Sequence, residues 1–148
     1  PNIKHFGTLS PIPGFRDWFS YLEDGKIKNI LGDVPVENIS FLKSPDLKVG
    51  DPRIVSNKLA ITKLVAHYLM NEKDKKQLPI NDVCRFHLGN GAIIDDIIIN
   101  ANVSEVGLNR SFGVMVNYLY ELKNIEKNHE EYINNKTIII SDKLKKII

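Results

Sequence analysis

The spacing of apolar residues changes period several times along the chain, and each change marks an element. Ile3 to Ser10 is short, β-branched and aromatic, which predicts a strand with Phe6, Thr8 and Ser10 on one face. Pro11 and Pro13 end it. Phe15, Trp18, Phe19 and Leu22 then recur at i, i+3, i+4 and i+7, the stripe of an amphipathic helix. Asp24 to Asn57 holds Gly25, Gly32, Pro35, Pro45, Gly50 and Pro52, too much punctuation for long elements. It reads as a connector with a short helix near Pro35 to Phe41. A helix is predicted over Val55 to Glu72, where Leu59, Thr62, Val65, Ala66 and Leu69 mark one face and Ile61, Leu64 and Tyr68 widen it.

Asn81 to Leu88 reads as a strand, with Cys84, Phe86 and Leu88 on one side and Val83, Arg85 and His87 on the other, less apolar side. Gly89-Asn90-Gly91 breaks it, and a short helix from about Ala92 to Ala101 is expected to follow. Val114 to Tyr120 is a further strand that puts Val116, Tyr118 and Tyr120 on one face. Thr137 to Ile140 is either a last short strand or the edge of a final helix, Ser141 to Ile148. No internal repeat is visible.

Length and composition narrow the classes. At 148 residues and 43% hydrophobic content the chain supports one domain, burying roughly two thirds of its unfolded surface. No apolar run reaches the roughly 18 residues that span a bilayer, so no membrane partner is expected. The net charge is +2 and the lysines are scattered among acids, which argues against nucleic acid as a partner. The single cysteine, Cys84, precludes an intrachain disulfide and suits a reducing compartment rather than secretion. The chain opens at Pro1 almost directly on a strand, with nothing like a signal peptide, and is expected to be a piece of a longer protein.

Chemistry concentrates in two runs, Thr8-Leu9-Ser10-Pro11-Ile12-Pro13-Gly14-Phe15 and Phe86-His87-Leu88-Gly89-Asn90-Gly91-Ala92. Each puts a hydroxyl or an imidazole just before a chain reversal, where loops open a site. Taken alone, Ser10 suits a helix N-cap better than a nucleophile or proton relay. His87 is balanced between chemistry and satisfying a loop carbonyl. Asn90 fits a turn, and Tyr118 fits a core aromatic with a bonded hydroxyl. A Ser–His hydrolase pair lacks its Gly-x-Ser-x-Gly elbow and an acid to orient the histidine. His5, His67 and His129 have no partner spacing, and with one cysteine no metal site is expected.

Together with Ser111 through Tyr120 and the Tyr132-x-x-x-Lys136-x-Ile138 region, the two runs resemble malonyl-CoA decarboxylases over nearly the whole chain, least around Leu31 to Pro52. The resemblance implies that residues 1–148 are the C-terminal portion of the catalytic domain. The fold it implies is α+β or α/β: a mixed twisted sheet with flanking helices, like the acyl-CoA N-acyltransferases (GNAT), incomplete at its N-terminus. It further implies a carboxy-lyase of fatty acid metabolism that converts malonyl-CoA to acetyl-CoA and CO2 through a thioester enolate protonated by a histidine. Ser10 and His87 are then the catalytic pair, and Asn90 and Tyr118 bind substrate. No metal or organic cofactor is implied, because the thioester is the electron sink. Location is cytoplasmic or mitochondrial, and a homo-oligomer would form through the upstream region. Sheet edge or apolar surface should be exposed where upstream elements pack. One departure stands out: where the family carries an Arg and an Asn-Trp pair, this chain has Asp95-Asp96-Ile97-Ile98-Ile99. The rival readings are an N-acyltransferase on the same fold and a non-catalytic interaction domain.

Overall fold

A computed structural model describes residues 3–148. Its order is β1 (His5–Ser10), α1 (Phe15–Ser20), α2 (Asp24–Leu31), a 3-10 segment (Val36–Lys43), α3 (Pro52–Ser56), α4 (Lys58–Asn71), α5 (Asp82–Gly89), β2 (Ile93–Ile98), α6 (Glu105–Ser111) and β3 (Met115–Glu121). A short 3-10 turn (Leu122–Asn124), α7 (Ile125–Asn135) and α8 (Asp142–Lys145) complete it. No helix among the described residues is long and apolar enough to cross a membrane.

The three strands form one sheet in the order β1-β3-β2, antiparallel throughout, so the last strand in sequence lies in the middle. Ile140 adds a single parallel bridge to Ile94 outside β2. Registry pairs Phe6 with Tyr120, Thr8 with Tyr118 and Ser10 with Val116, which puts all six on one face. Ile94 and Ile97 extend that face from β2. It packs toward helices, with Ile61, Leu64, Val65 and Leu69 of α4 fully enclosed. β1 pairs only with β3 among the described residues, and Phe6 and Leu9 along it, with Ile3 just before it, are exposed. The sheet edge and apolar surface expected from the sequence are present there.

The strand expected over 81–88 is a helix, and the helix expected over 92–101 is a strand. Asn81 caps α5, its side-chain oxygen accepting the Cys84 N–H at 2.9 Å, and Asp82 fills the first turn. Both are helix-start features. The buried residues are Cys84, His87 and Leu88, an i, i+3, i+4 set, while Phe86 is exposed. The apparent alternation was incidental. β2 follows its run of β-branched isoleucines instead. The register slips between Ile94 and Asp96, so Asp95 forms a bulge. That bulge lets two acids sit in a strand: Asn117 Nδ2 donates to Asp95 at 3.0 Å, and Lys143 lies 3.7 and 3.4 Å from the Asp95 and Asp96 carboxylates.

The remaining differences lie in polar segments. The connector holds α2 as well as the expected short helix, the latter as the 3-10 segment, and the Val55–Glu72 helix is divided at Asn57. α6 starts on Ser104, whose hydroxyl accepts the Gly107 N–H at 3.1 Å. α7 buries only Asn128 and Tyr132 and otherwise presents charge to solvent. Thr137 to Ile140 supplies the bridge residue, and Ser141 caps the one-turn α8.

Candidate active site

Ser10 is the last residue of β1 and points to the helix-packed face; His87 lies in the last turn of α5, directly above it. Although 77 residues apart in sequence, Ser10 Oγ and His87 Nε2 are 3.0 Å apart, with both residues buried. Ser10 is not a helix cap: α1 begins after Gly14, which occupies the N-cap position. The hydroxyl is left for the histidine. The expectation that the pair faces one place within direct reach is met, but from the end of a strand and the end of a helix rather than from two strand ends.

The other ring nitrogen reveals a residue the sequence reading passed over. His87 Nδ1 is 2.6 Å from the Tyr120 hydroxyl, making an uninterrupted line Ser10–His87–Tyr120. The signal was available, because Tyr120 shares its face of β3 with Tyr118. Both partners of the imidazole are hydroxyls, and no described carboxylate is hydrogen-bonded to it. Burial holds the His87 pKa below the ordinary histidine value and pushes the Tyr120 phenol up, so at neutral pH the line starts uncharged.

Tyr118 borders the pair from the sheet side. Its ring lies under the imidazole, centroids 4.4 Å apart and planes 20° apart, and no part of it reaches solvent. Its hydroxyl has no hydrogen-bond partner; the nearby Cys84 thiol, its pKa pushed up to about 12 mainly by burial, turns to the Leu69 carbonyl at 4.0 Å. Asn90 stands outside this cluster, exposed at the C-cap of α5, where its backbone N–H bonds the carbonyls of Phe86 and His87. Phe6, stacked on Tyr120 at 4.8 Å, and the exposed Phe86 form an apolar rim.

Contacts at both ends set α5 against its surroundings. At its start, Asn81 caps the helix and also donates Nδ2 to the Pro13 carbonyl at 3.1 Å, tying it to the turn after Ser10. At its end, Asn128 of α7 donates to the Gly91 carbonyl at 3.2 Å. Asn81 is almost wholly enclosed, so Asn81→Ala should destabilise the domain by about 1–3 kcal/mol. Denaturant melts of the whole protein check this, and an unchanged midpoint would show that neither bond contributes.

Comparison with known proteins bears on this geometry. The family model described as malonyl-CoA decarboxylase C-terminal domain matches residues 1–148. The chain is 30% identical over 166 residues to mitochondrial malonyl-CoA decarboxylase of Rattus norvegicus, covering 100% of this chain and 34% of that protein. It is 31% identical over 162 residues to that of Anser anser anser, with 97% and 32% covered. The crystal structure of malonyl-CoA decarboxylase from Rhodopseudomonas palustris superposes with a TM-score of 0.86 at 33% identity, over 99% of this chain and 34% of that one. The Cupriavidus metallidurans structure gives 0.80 at 31%, over 100% and 39%. The chain thus spans about a third of the relatives it matches.

Proposed function

The chain belongs to the malonyl-CoA decarboxylase family, as its C-terminal domain, and from that membership we propose that it carries the chemical centre for decarboxylating malonyl-CoA to acetyl-CoA and CO2. The supporting observation is the buried Ser10–His87–Tyr120 line. In the reaction the bond between the α-carbon and the carboxylate breaks, and its electron pair moves into the thioester carbonyl as an enolate. Carbon dioxide leaves, and the α-carbon then takes a proton.

An anionic substrate selects the direction of the line. Facing a carboxylate or an enolate, Ser10 must donate its hydrogen outward, so its oxygen accepts from His87 Nε2–H. Nδ1 then accepts from the Tyr120 hydroxyl. Ser10 first holds the carboxylate in the orientation for cleavage and then passes its hydrogen to the α-carbon as His87 re-supplies it. Tyr120 supplies the hydrogen that Nδ1 takes up. Once the product leaves, the shift runs back, Nδ1 returning it to Tyr120 and Ser10 returning one to Nε2, and Ser10 takes a proton from solvent, which restores the starting tautomer. The imidazole remains neutral overall, in keeping with its depressed pKa. Asn90, exposed at the end of the same helix, contacts the ligand, and Tyr118 supports the pair from behind. The buried free thiol of Cys84 fits a reducing compartment, mitochondrial or cytoplasmic.

Thioester product analysis on the whole protein that carries this chain tests the proposal. Acetyl-CoA should form from malonyl-CoA, and Ser10→Ala should lower turnover per folded molecule by about 10²-fold while leaving acetyl-CoA binding near parental. Transfer of the acyl group to an amine, or parental turnover in Ser10→Ala, would overturn it. The pH profile is a second check. Because the proton starts on hydroxyls, kcat should hold level as pH rises through the ordinary histidine range. A protonated imidazole as the sole donor would instead lose rate above its depressed pKa.

A further inference from the structure

The two hydrogen bonds of His87 leave one freedom open. The ring turns as a plate about its Cβ–Cγ bond, a soft torsion that the bonds at Nδ1 and Nε2 resist only through their own bending. Turning swings the Nε2–H and the Nδ1 lone pair out of line with Ser10 and Tyr120, and hydrogen bonds weaken steeply as they bend. One group lies flat against the imidazole and blocks that motion: the phenol ring of Tyr118, 4.4 Å away and 20° from parallel. Phe86 meets the imidazole edge-on at 75° and cannot serve as such a plane.

We propose that Tyr118 is a positioning residue for His87, acting through the face of its ring and not through its hydroxyl. The inference rests on the reading of His87 as catalytic. The placement follows from the strand: β3 alternates, so Tyr118 and Tyr120 rise from the same face, one supplying a platform and the other a hydrogen-bond partner to the same imidazole. The hydroxyl of Tyr118 is buried beside the Cys84 thiol, bonds neither Ser10 nor His87, and leaves the ring face as the part of the residue that meets the imidazole. A core tyrosine whose ring face lies flat on the imidazole is accounted for by the stacking.

The experiment compares Tyr118→Phe, Tyr118→Leu and Tyr118→Met with His87→Ala in the whole protein, measuring kcat, KM for malonyl-CoA and the thermal midpoint. Phenylalanine keeps the plane and removes the orphan hydroxyl, so kcat should stay within about twofold of parental with an equal or higher midpoint. Leucine and methionine fill space without a plane, and kcat should fall on the order of tenfold with KM little changed, because positioning and not binding is lost. Methionine, the more adaptable side chain, serves if leucine fails to fold. Parental kcat per folded molecule in methionine would show that Tyr118 is merely packing. An equal loss in phenylalanine would show that the hydroxyl is what matters. Should His87→Ala itself retain parental kcat, the catalytic reading fails first; with His87→Ala inactive and methionine parental, the platform fails alone.

Discussion

His87→Ala should remove nearly all acetyl-CoA formation from the whole protein, a loss of about 10³-fold or more, and leave affinity for CoA close to parental. Among the described residues the imidazole alone joins the Ser10 and Tyr120 hydroxyls, so its removal breaks the line at its centre. General acid–base groups typically contribute about 10²–10⁴ in rate, and here the same truncation also frees Ser10 to rotate. The nucleotide has no part in that chemistry, which is why binding should survive. Tyr120→Phe is the graded comparison: it keeps the Ser10–His87 bond and the ring stacked on Phe6 but removes the partner of Nδ1. Its loss should be smaller, and a loss as large as that of His87→Ala would place the essential proton on the phenol itself. Burial also gives His87 a signature in stability. Its pKa is lowered in the fold, so as pH falls through the ordinary histidine range the unfolded chain takes up a proton that the folded one refuses. The domain should therefore lose stability on the acid side and hold it above.

The largest structural effect should come from a substitution that adds one carbon. Gly91 follows the end of α5 with φ of +90°, and a Cβ there would stand 2.5 Å from the Ile125 carbonyl oxygen, a backbone atom that cannot swing aside. Gly91→Ala combines an unfavourable backbone conformation with that collision, and should cost about 3 kcal/mol or more. Yielding would push α7 away from the loop and strain the Asn128 bond to the Gly91 carbonyl. The next residue, Ala92, donates its N–H to the His87 carbonyl at 3.1 Å, so the disturbance reaches the imidazole's own backbone. Soluble yield and denaturant midpoint should fall together. A parental midpoint would mean the loop can move off α7 without loss.

What the sequence revealed about the site exceeded what it revealed about the elements around it. Ser10 and His87 were legible as a pair from their motifs, and they meet, yet the element assigned to His87 was wrong. Eight residues of Asn81 to Leu88 satisfy a two-residue period on paper, while the cap and first-turn acid at Asn81-Asp82 favoured a helix. The reverse held at Ile93 to Ile98, where a short helix was expected after the Gly89-Asn90-Gly91 break and two aspartates sit in a strand. Their place depends on a bulge and on Asn117 and Lys143, contacts made by residues far along the chain. α7 escaped notice because a helix that buries two polar-capable side chains, Asn128 and Tyr132, leaves no apolar stripe to read. Tyr120 was visible as a face-mate of Tyr118, but only the packing of α5 decides which tyrosine offers its hydroxyl and which its ring.

The strand order carries a consequence for how the domain comes into being. Among the described residues β1 and β2 do not touch as strands; each pairs with β3, the last of the three in sequence. During synthesis Ser10 therefore waits for residues more than a hundred positions downstream before β1 can pair with β3. Such long-range closure is slow, and the exposed β1 residues are open to wrong partners in the interval. The centre then assembles in a single late event, because the strand that brings Tyr118 and Tyr120 under His87 is also the one that secures Ser10. Loosening of β3 alone would abolish turnover while most helices remained folded, so inactivation by heat or denaturant should run ahead of the loss of helical signal.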